Sequence, residues 1–428
     1  MTVLPVFLLI GIFVLLLFMR MPITFALAVS SIITAIYLKI PLMAVLLQMV
    51  KGIDSFSLMA IPFFILAGEI MSQGGIATRL IKFSNVIVGR MRGGLAQVNV
   101  LSSMFFGGIS GSAIADTASI GAMLIPMMEK SGYDKDYSVG ITVTSACQGV
   151  IIPPSHNMII YAVAAGGVSV GKLFLGGMVP GIMLGLGLMV AAYIIAVKKK
   201  YPKGNKISLK ESLKICRDAS LGLFTAVIIV GGVISGVFTA TESSAIACLY
   251  AFIITFFVYR EIPISQMNKI LMKSLTTLAM VIGLLATSNA FGWLMAYLRI
   301  PMMITHALLG ISQNKIVLLL LINLLLLILG CIMDMAPLIM ITTPILLPVA
   351  VSLGMDPIHF GVMMVLNLAI GLCTPPVGAA LFVGCSIGNI KIEDVTKSML
   401  PFYIIMVVVL LLITFIPQLV LFVPNLIL

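Results

Sequence analysis

The stretch FGGISGSAIAD, residues Phe106–Asp116, decides the fold of this chain. It is a run of Gly, Ser and Ala between two apolar arms, Ala96–Phe105 and Thr117–Met128, each too short to cross about 30 Å of hydrocarbon alone. A turn at membrane depth exposes peptide groups that lipid cannot satisfy, so it must be buried in protein or line a wet cavity. The stretch therefore predicts a re-entrant hairpin over about residues 96–130, with its polar tip near the midplane.

The rest of the chain is composed like a membrane protein. Of its 428 residues, 61% are hydrophobic and 9% are charged, and apolar runs follow one another from end to end. This composition excludes a soluble domain and is typical of an integral helical membrane protein in a lipid bilayer. The net charge of +11 could indicate a nucleic-acid partner, but the basic residues fall in loops between apolar runs, and we expect no nucleic acid.

A second polar turn and two interrupted helices complete the set of unusual elements. The stretch LGCIMDMAPL, Leu329–Leu338, predicts a second hairpin over about residues 316–350. Two further apolar segments, about residues 136–165 and 358–387, each contain a pair of consecutive prolines, which remove two backbone donors and clash with the preceding turn. We therefore expect both helices to be broken. The pairs are Pro153-Pro154 and Pro375-Pro376.

The two halves of the chain repeat at an offset of 222 residues. Matched positions include Gly108 with Gly330, Pro126 with Pro348, Gly132 with Gly354, Asp134 with Asp356, Gly149 with Gly371, Pro153-Pro154 with Pro375-Pro376, and Gly166 with Gly388. Composition alone would produce roughly one such Gly or Pro coincidence, so we interpret the pattern as an internal repeat. The first repeat is residues 1–197, a cytoplasmic linker is 198–219, and the second repeat is 220–428.

Each repeat is predicted to hold five crossings and one hairpin, and the odd number of crossings inverts the second copy. Charge predicts the orientation: the linker is strongly basic, and placing the loop 73–94 on the same side leaves only five of the 25 Lys and Arg residues outside. The five are Lys39, Lys51, Lys172, Arg299 and Lys315. Both termini are then expected on the outer, periplasmic side. Short amphipathic segments at 41–51 and 263–273 are expected to lie in the interface.

Opposed hairpins and broken helices at one depth are typical of secondary transporters, whose site lies between the repeats. The C-terminal ends of half-helices and free carbonyl groups attract cations, and their N-terminal ends attract anions such as carboxylates. A channel, which also uses re-entrant loops, is the alternative from another class. The chain has no P-loop pattern, and the six cysteines and three histidines show no metal-binding spacing, so we expect neither ATP hydrolysis nor an enzyme.

Three features resemble the large membrane subunit of tripartite ATP-independent periplasmic (TRAP) transporters. They are GGISGSAIAD followed by GAMLIP, the GVFTATESSA stretch at Gly236–Ala245, and the two proline-containing breaks. The chain departs from the family pattern at Ala240, where a proline is expected. The resemblance implies a sodium-driven, elevator-type importer of an organic acid anion, of the sialic acid or C4-dicarboxylate class, in the bacterial inner membrane. It also implies a small membrane subunit and a periplasmic substrate-binding protein as partners, with Na⁺ as coupling ion and no cofactor.

The candidate binding residues lie at the hairpin tips and the breaks. They are Gly108, Ser110, Ser112, Asp116, Gln148, Gly149, Ile152 and Pro153 in the first half, and Gly330, Asp334, Gly371, Thr374 and Pro375 in the second. Sodium is a hard cation that prefers oxygen ligands, so we expect one sodium site in each half. The first is assigned to Ser110, Ser112 and Gly149, and the second to Gly330, Asp334, Gly371 and Thr374.

Each of these residue types also has a purely structural explanation. Serines permit close helix packing. The two aspartates could brace the hairpins through hydrogen bonds, although an ionisable group at membrane depth indicates function by default.

Overall fold

In the computed structural model, the chain is described at residues 4–19, 21–204, 206–312 and 314–427, and this part is α-helical. The residues outside the described part include Arg20, Asn205 in the predicted linker, and the two ends of the predicted repeats, Met1–Val3 and Leu428. The helices before the linker are α1 (Leu4–Phe18), α2 (Ile23–Tyr37), α3 (Leu42–Ile53), α4 (Ala60–Gln73), α5 (Ile76–Val88), α6 (Gly94–Ser110), α7 (Ala113–Lys130), α8 (Lys135–Gly149), α9 (His156–Ala164) and α10 (Val170–Lys198).

The helices after the linker follow in a similar order. They are α11 (Leu209–Ile234), α12 (Ala240–Ile253), α13 (Met267–Tyr297), α14 (Ile300–Ile311), α15 (Lys315–Gly330), α16 (Met335–Ser352), α17 (Pro357–Leu372), α18 (Ala379–Gly388), α19 (Ile392–Phe415) and α20 (Gln418–Ile427). A π-helical segment, Ile254–Tyr259, continues α12, and short 3₁₀ turns cover Phe56–Met59 and Ile264–Gln266.

Fewer helices are long enough to cross a membrane than the ten crossings expected from the sequence. Among the described residues, six helices have the length and apolar composition of a span, or seven if the bent pair α4 and α5 is counted as one. Five of the six are predicted crossings, and the sixth, α16, is an arm of the second predicted hairpin that is long enough to span. The other predicted crossings do not reach that length as single helices: both broken helices are divided into short pieces (α8 and α9, α17 and α18), α4 counts only together with α5, and α1 and α2 have 15 residues each, about 22 Å of helix.

The predicted loop 73–94 is wrong, because most of it forms the 13-residue helix α5. The chain bends by 70° between α4 and α5, at a left-handed glycine, Gly75 with φ 71°. The helix is amphipathic: Ile76, Leu80 and Ile81 are buried, and α5 packs against α6 and α11. Its Arg79 forms an ion pair with Glu261, 2.7 Å away. Tertiary contacts therefore stabilise a helix where isolated charges indicated a loop.

Two other boundaries also differ from the sequence-based expectation. The predicted linker 198–219 ends early, because α11 begins at Leu209, where the Ser208 hydroxyl accepts a hydrogen bond from the Glu211 amide at 3.3 Å. The predicted separate interfacial segment 263–273 is wrong, because residues from Met267 onward form the start of the continuous 31-residue helix α13. No cap or break interrupts that helix. By contrast, the segment 41–51 corresponds to a separate helix, α3.

The helices pack into two groups. In one group, α12 packs against α4 and α11, while α13 packs against α2, α3 and α4. In the other, α8 packs against α6, α7, α18 and α19, and α17 packs against α15, α16 and α19. The main contacts between the groups are those of α4 and α5 with α6, and of α13 and α14 with α16. Both predicted hairpins and both predicted breaks belong to the second group.

Candidate functional site

The first hairpin turns much more tightly than the sequence indicated. Helix α6 continues to Ser110, and only Gly111 and Ser112 separate it from α7. Gly111 has φ 61°, and its amide donates to the Gly107 carbonyl at 2.7 Å. The Ser112 hydroxyl accepts from the Ala115 amide at 3.3 Å and so caps α7. The predicted long Gly/Ser tip, Phe106–Asp116, is therefore mostly helical, because glycine and serine end one helix and begin the next within two residues.

The first tip lies directly on the first broken helix. A Cβ atom added to Gly107 would lie 2.2 Å from the Gly149 Cα, and one added to Gly108 would lie 3.0 Å from the Pro153 carbonyl oxygen. The Ile152 Cγ2 methyl group would lie 3.4 Å from the same added Cβ atom of Gly108. Only glycines allow the backbones of α6 and α8 to approach this closely.

The first break leaves a helix N-terminus facing the tip. Residues 150–155 are not helical and contain a cis Pro153-Pro154 bond, and α9 begins at His156. Ser155 precedes α9 without a side-chain cap, and its buried hydroxyl has no hydrogen-bond partner within the described chain. A Cβ atom added to Gly111 would lie 3.0 Å from the His156 Nδ1. The free amides of α9 and its positive dipole end therefore lie beside the hairpin tip.

Asp116 is the most unusual group of the first half. Its side chain is fully buried, and within the described chain neither carboxylate oxygen has a hydrogen-bond partner. A Cβ atom added to Gly149 would lie 3.4 Å from its Oδ2 and 3.0 Å from the Ser103 carbonyl oxygen. A buried ionised carboxylate without partners is costly, so the group is either protonated or satisfied by water or a cation.

Gln148 is oriented differently from the other predicted residues. Its amide nitrogen donates to the Gly181 carbonyl of α10 at 3.3 Å, which turns that end of the side chain away from the tip.

Several buried polar residues of this region were missed from the sequence. Ser102, Ser103 and Thr117 have unpartnered hydroxyl groups within the described chain, and Asn99 donates to the Thr142 hydroxyl at 2.6 Å. Asn99 and Ser103 are four residues apart on α6, on the face that packs against α8. That spacing of polar residues in an apolar segment was the available signal.

The second half has a corresponding contact between tip and break. A Cβ atom added to Gly371 would lie 2.4 Å from the Gly330 carbonyl carbon. The Cys331 carbonyl in the turn accepts a hydrogen bond from the Val377 amide in the break at 3.1 Å. The Thr374 hydroxyl donates to the Ile370 carbonyl at 2.7 Å. Thr374 and Pro375 are both half-buried, and the peptide bond between Pro375 and Pro376 is cis.

The two aspartates occupy different environments. Asp334 stands at the N-cap position of α16, makes no side-chain capping bond and is exposed, whereas Asp116 is fully buried. At the 222-residue offset, Asp334 corresponds to Ser112, and Asp116 corresponds to Leu338. The two tips therefore share a frame but place their carboxylates differently.

The second half-helix of each break crosses to the hairpin of the other half. Helix α9 packs against α16, and α18 packs against α7 and α8. The Tyr161 hydroxyl of α9 donates to the Pro357 carbonyl at 2.6 Å, and the buried thiols of Cys147 and Cys373 are close enough to interact. The two tips and the two breaks therefore form one continuous region.

The donors in this region are carbonyls, hydroxyls and single carboxylates. Among the described residues, no group of three or more His, Cys, Asp or Glu could hold a metal ion. An all-oxygen donor set suits a hard monovalent or divalent cation better than a transition metal. The predicted residues therefore fit Na⁺ in their chemistry.

Comparison with known proteins identifies the family. Residues 10–419 match the model of the family described as "Tripartite ATP-independent periplasmic transporter, DctM component". The chain belongs to this family. The resemblance drawn from the hairpin motif, the TATESSA stretch and the breaks is thus confirmed, and this DctM component is a multi-pass membrane protein of a transport system.

Curated relatives of this DctM component cover almost its whole length. YgiK of Salmonella typhimurium is 45% identical over 425 residues, 99% of this chain and 98% of that protein. The sialic acid TRAP transporter large permease protein SiaM of Vibrio cholerae is 41% identical over 379 residues, 89% of this chain and 88% of that one. The C4-dicarboxylate large permease DctM of Rhodobacter capsulatus is 36% identical over 431 residues, 97% of this chain and 98% of that one.

The fold is also found in a solved transporter. The crystal structure of the YdaH transporter of Alcanivorax borkumensis superposes with a TM-score of 0.65 at 13% sequence identity, and the match covers 86% of each chain. At this level of identity the match shows the fold alone.

Proposed function

We propose that this DctM component is the translocating subunit of a sodium-driven importer of an organic acid anion, of the sialic acid or C4-dicarboxylate class. Relatives of 41% and 36% identity are named for these two substrate classes. Both kinds of substrate carry carboxylates, which suit the N-terminal end of α9 beside the first tip. The observation that carries the proposal is the matched glycine contact of tip and break in each half, Gly107 on Gly149 and Gly330 on Gly371.

An inverted repeat underlies this proposal. Adding 222 to the bounds of α7, Ala113–Lys130, gives residues 335–352, which are the bounds of α16, Met335–Ser352. The same shift carries Pro153-Pro154 onto Pro375-Pro376, and both bonds are cis. An odd number of crossings in the first half would invert the second, so that the hairpins enter from opposite faces. The predicted repeats, 1–197 and 220–428, follow from this correspondence.

An elevator motion fits the division of the helices into two groups. The tips and breaks all belong to the group built from α6–α10 and α15–α20, while α1–α5 and α11–α13 pack mainly among themselves. In the proposed cycle the group that contains the tips and breaks carries the substrate across the membrane, and the group built from α1–α5 and α11–α13 acts as the scaffold. Small residues at the boundary, such as Gly68, where an added Cβ atom would lie 3.4 Å from the Ser110 Cα, would limit interlocking during the motion.

Sodium is the proposed coupling ion. In the first site, Ser110, Ser112 and the Gly149 carbonyl would supply oxygen ligands, with the Asp116 carboxylate adjacent to Gly149. The second site would use Thr374, Asp334 and the carbonyls near Gly330 and Gly371. Binding of Na⁺ would neutralise the carboxylates and fix the tips against the breaks, so that the helix ends are positioned for the anion.

The family description names a tripartite, ATP-independent system. We therefore propose two partners, a small membrane subunit and a periplasmic binding protein that delivers the anion. The proposed location is the bacterial inner membrane, with both termini periplasmic and the basic linker cytoplasmic. A cysteine placed at Lys203 should react only with thiol reagents that enter the cytoplasm, and labelling from outside sealed cells would overturn this orientation.

Reconstituted uptake tests the function itself. With its partners in proteoliposomes, the chain should show saturable uptake of sialic acid or a C4-dicarboxylate that requires the binding protein and an inward sodium gradient, without ATP. Discrete single-channel currents, or full uptake by this chain alone, would favour the channel alternative. Equal uptake with potassium replacing sodium would contradict the coupling ion but not the carrier.

A further inference from the structure

A cleft of about 490 Å³ lies between α5 and the first turns of α11, away from the hairpin tips. Glu261 closes one side of it, just after the π-helical segment that ends α12. The cleft thus lies where α11 begins and where the membrane span Ala240–Tyr259 ends. This is the depth of lipid headgroups, on whichever side of the membrane it faces.

Arg79 is fully engaged at the floor of this cleft. Its guanidinium group donates to Glu261 Oε1 at 2.7 Å and to the Gly75 carbonyl at 3.1 Å, and it lies 3.6 Å from the centroid of the Tyr259 ring. The charges of Arg79 and Glu261 therefore satisfy each other and fix the shape of the floor.

Four other charged side chains line the cleft without such partners. Lys82 on α5 and Lys214 on α11 are exposed and form no ion pair within the described chain. The carboxylates of Glu211 and Asp218, also exposed, form none within that same part of the chain. After Arg79 and Glu261 are paired, the lining carries two positive and two negative groups. A ligand that complements it must itself carry both signs of charge.

Apolar side chains continue the cleft toward the lipid. Ile207 and Ile215 line it, and Ile215 lies on the same face of α11 as Glu211, Lys214 and Asp218. Apolar side chains next to basic residues at the start of a membrane helix are suited to contact acyl chains.

We propose that this cleft binds a zwitterionic phospholipid whose headgroup carries a primary ammonium, of the ethanolamine type. The phosphodiester contacts Lys82 and Lys214, the ammonium donates to Glu211 and Asp218, and the acyl chains leave the cleft past Ile207 and Ile215. A purely anionic headgroup would leave both carboxylates unmatched. A choline headgroup has no N–H to donate to them. The proposal does not depend on sodium coupling or on the transported substrate.

Native mass spectrometry of the full chain in detergent tests this binding. Equimolar phosphatidylethanolamine, phosphatidylglycerol and phosphatidylcholine are added, and the lipid adducts are counted. The two ammonium–carboxylate contacts are exposed charge pairs that the other two lipids lack. Together they should give a preference of about fivefold for the ethanolamine lipid over each of the others. Equal or stronger retention of phosphatidylglycerol would overturn the proposal in favour of a simple basic patch.

Matched variants separate the cleft from general surface charge. Lys82→Ala combined with Lys214→Ala should reduce the ethanolamine adduct about fivefold, whereas Lys210→Ala, a lysine on the same helix outside the cleft, should leave it unchanged. An equal loss in the Lys210→Ala variant would overturn the assignment.

A second variant tests the role of the carboxylates without removing the lysines. Glu211→Gln combined with Asp218→Asn should shift the preference from phosphatidylethanolamine to phosphatidylglycerol, because only the positive groups then remain. An unchanged preference would refute the ammonium contacts. Full displacement of the lipid by soluble glycerophosphoethanolamine would show that the site takes a free solute rather than a lipid, and would also overturn the proposal.

Discussion

The buried carboxylate of Asp116 offers the sharpest test of the candidate site. Replacing it by asparagine keeps the size of the side chain but removes its charge. Because the wild-type side chain is fully buried and its oxygens have no hydrogen-bond partner within the described chain, the ionised form has a stabilising counterpart only when a cation is bound. Asp116→Asn should therefore raise the stability of the sodium-free protein and reduce the stabilisation that sodium confers.

The size of both effects follows from the burial. The asparagine amide is itself an unsatisfied buried polar group, which costs about 1–3 kcal/mol, but the ionised carboxylate costs more, so the sodium-free variant should gain the difference between the charged and the neutral group, about 1 kcal/mol. Sodium at 100 times its dissociation constant stabilises the wild type by about 2.7 kcal/mol. Loss of the carboxylate should lower the sodium affinity at least tenfold, since about 1.4 kcal/mol corresponds to a factor of ten.

Thermal unfolding in detergent, followed by intrinsic fluorescence over a sodium titration with choline as the balancing cation, measures both quantities. The matched control is Asp54→Asn, because Asp54 is exposed, belongs to neither proposed sodium site, and its removal relieves no buried charge. That variant should leave the sodium-free unfolding temperature close to the wild-type value. If Asp116→Asn lowers the sodium-free unfolding temperature and keeps the full sodium response, Asp116 is a structural brace and the reasoning is refuted.

Three further predictions concern other parts of the chain. Asp334→Asn should insert and assemble normally but shift the sodium dependence of reconstituted uptake to higher concentration. Gly107→Ala, which places a Cβ atom 2.2 Å from the Gly149 Cα, should reduce uptake at least about fivefold, because overpacking against backbone costs about 1–3 kcal/mol. Lys199 lowers the pKa of Asp134 through a hydrogen bond. The stabilisation from this pair is therefore present above about pH 4 and is lost as the pH falls through the lowered pKa. A series of unfolding temperatures measured at different pH values would detect this loss.

Each of these has a control that can contradict it. An unchanged sodium response in Asp334→Asn would remove this residue from the second site. Gly11→Ala meets no atom within 4 Å and should transport normally, so an equal loss there would point to a general effect of the substitution. Asp134→Asn should lose the acid-dependent component of unfolding, and the wild-type pH profile in that variant would contradict the assignment to Asp134.

Local physical signals carried much of the prediction. The Pro153-Pro154 and Pro375-Pro376 pairs lack backbone donors, and both lie in segments that are not helical in the structure, at 150–155 and after Leu372. The family was recognised by the resemblance of short motifs, GGISGSAIAD and GVFTATESSA, to those of the TRAP large membrane subunit. These features depend on residues close together in the sequence.

Helix boundaries and the roles of charged residues were harder to predict. The segment containing Arg79 and Lys82 was interpreted as a loop, yet it forms α5, because its apolar face packs on α6 and α11 and Glu261, far away in the sequence, neutralises Arg79. The apolar period of α5 was present in the sequence, with Arg79 and Lys82 on the face opposite to Ile76, Leu80 and Ile81, but the charges were given more weight than the period. A helix this short is stable only through tertiary contacts, which no local window contains.

The amino-acid sequence by itself determined the membrane class, the family, the basic linker, the positions of the turns between α6 and α7 and between α15 and α16, and both breaks. Only the tertiary structure decided that α9 packs on α16 and α18 on α7, that Asp116 is fully buried while Asp334 is exposed, and that Gly107 meets Gly149. The physical reason is range: composition, hydropathy and proline chemistry act within a few residues. Burial and close backbone approach depend on which distant helices pack together.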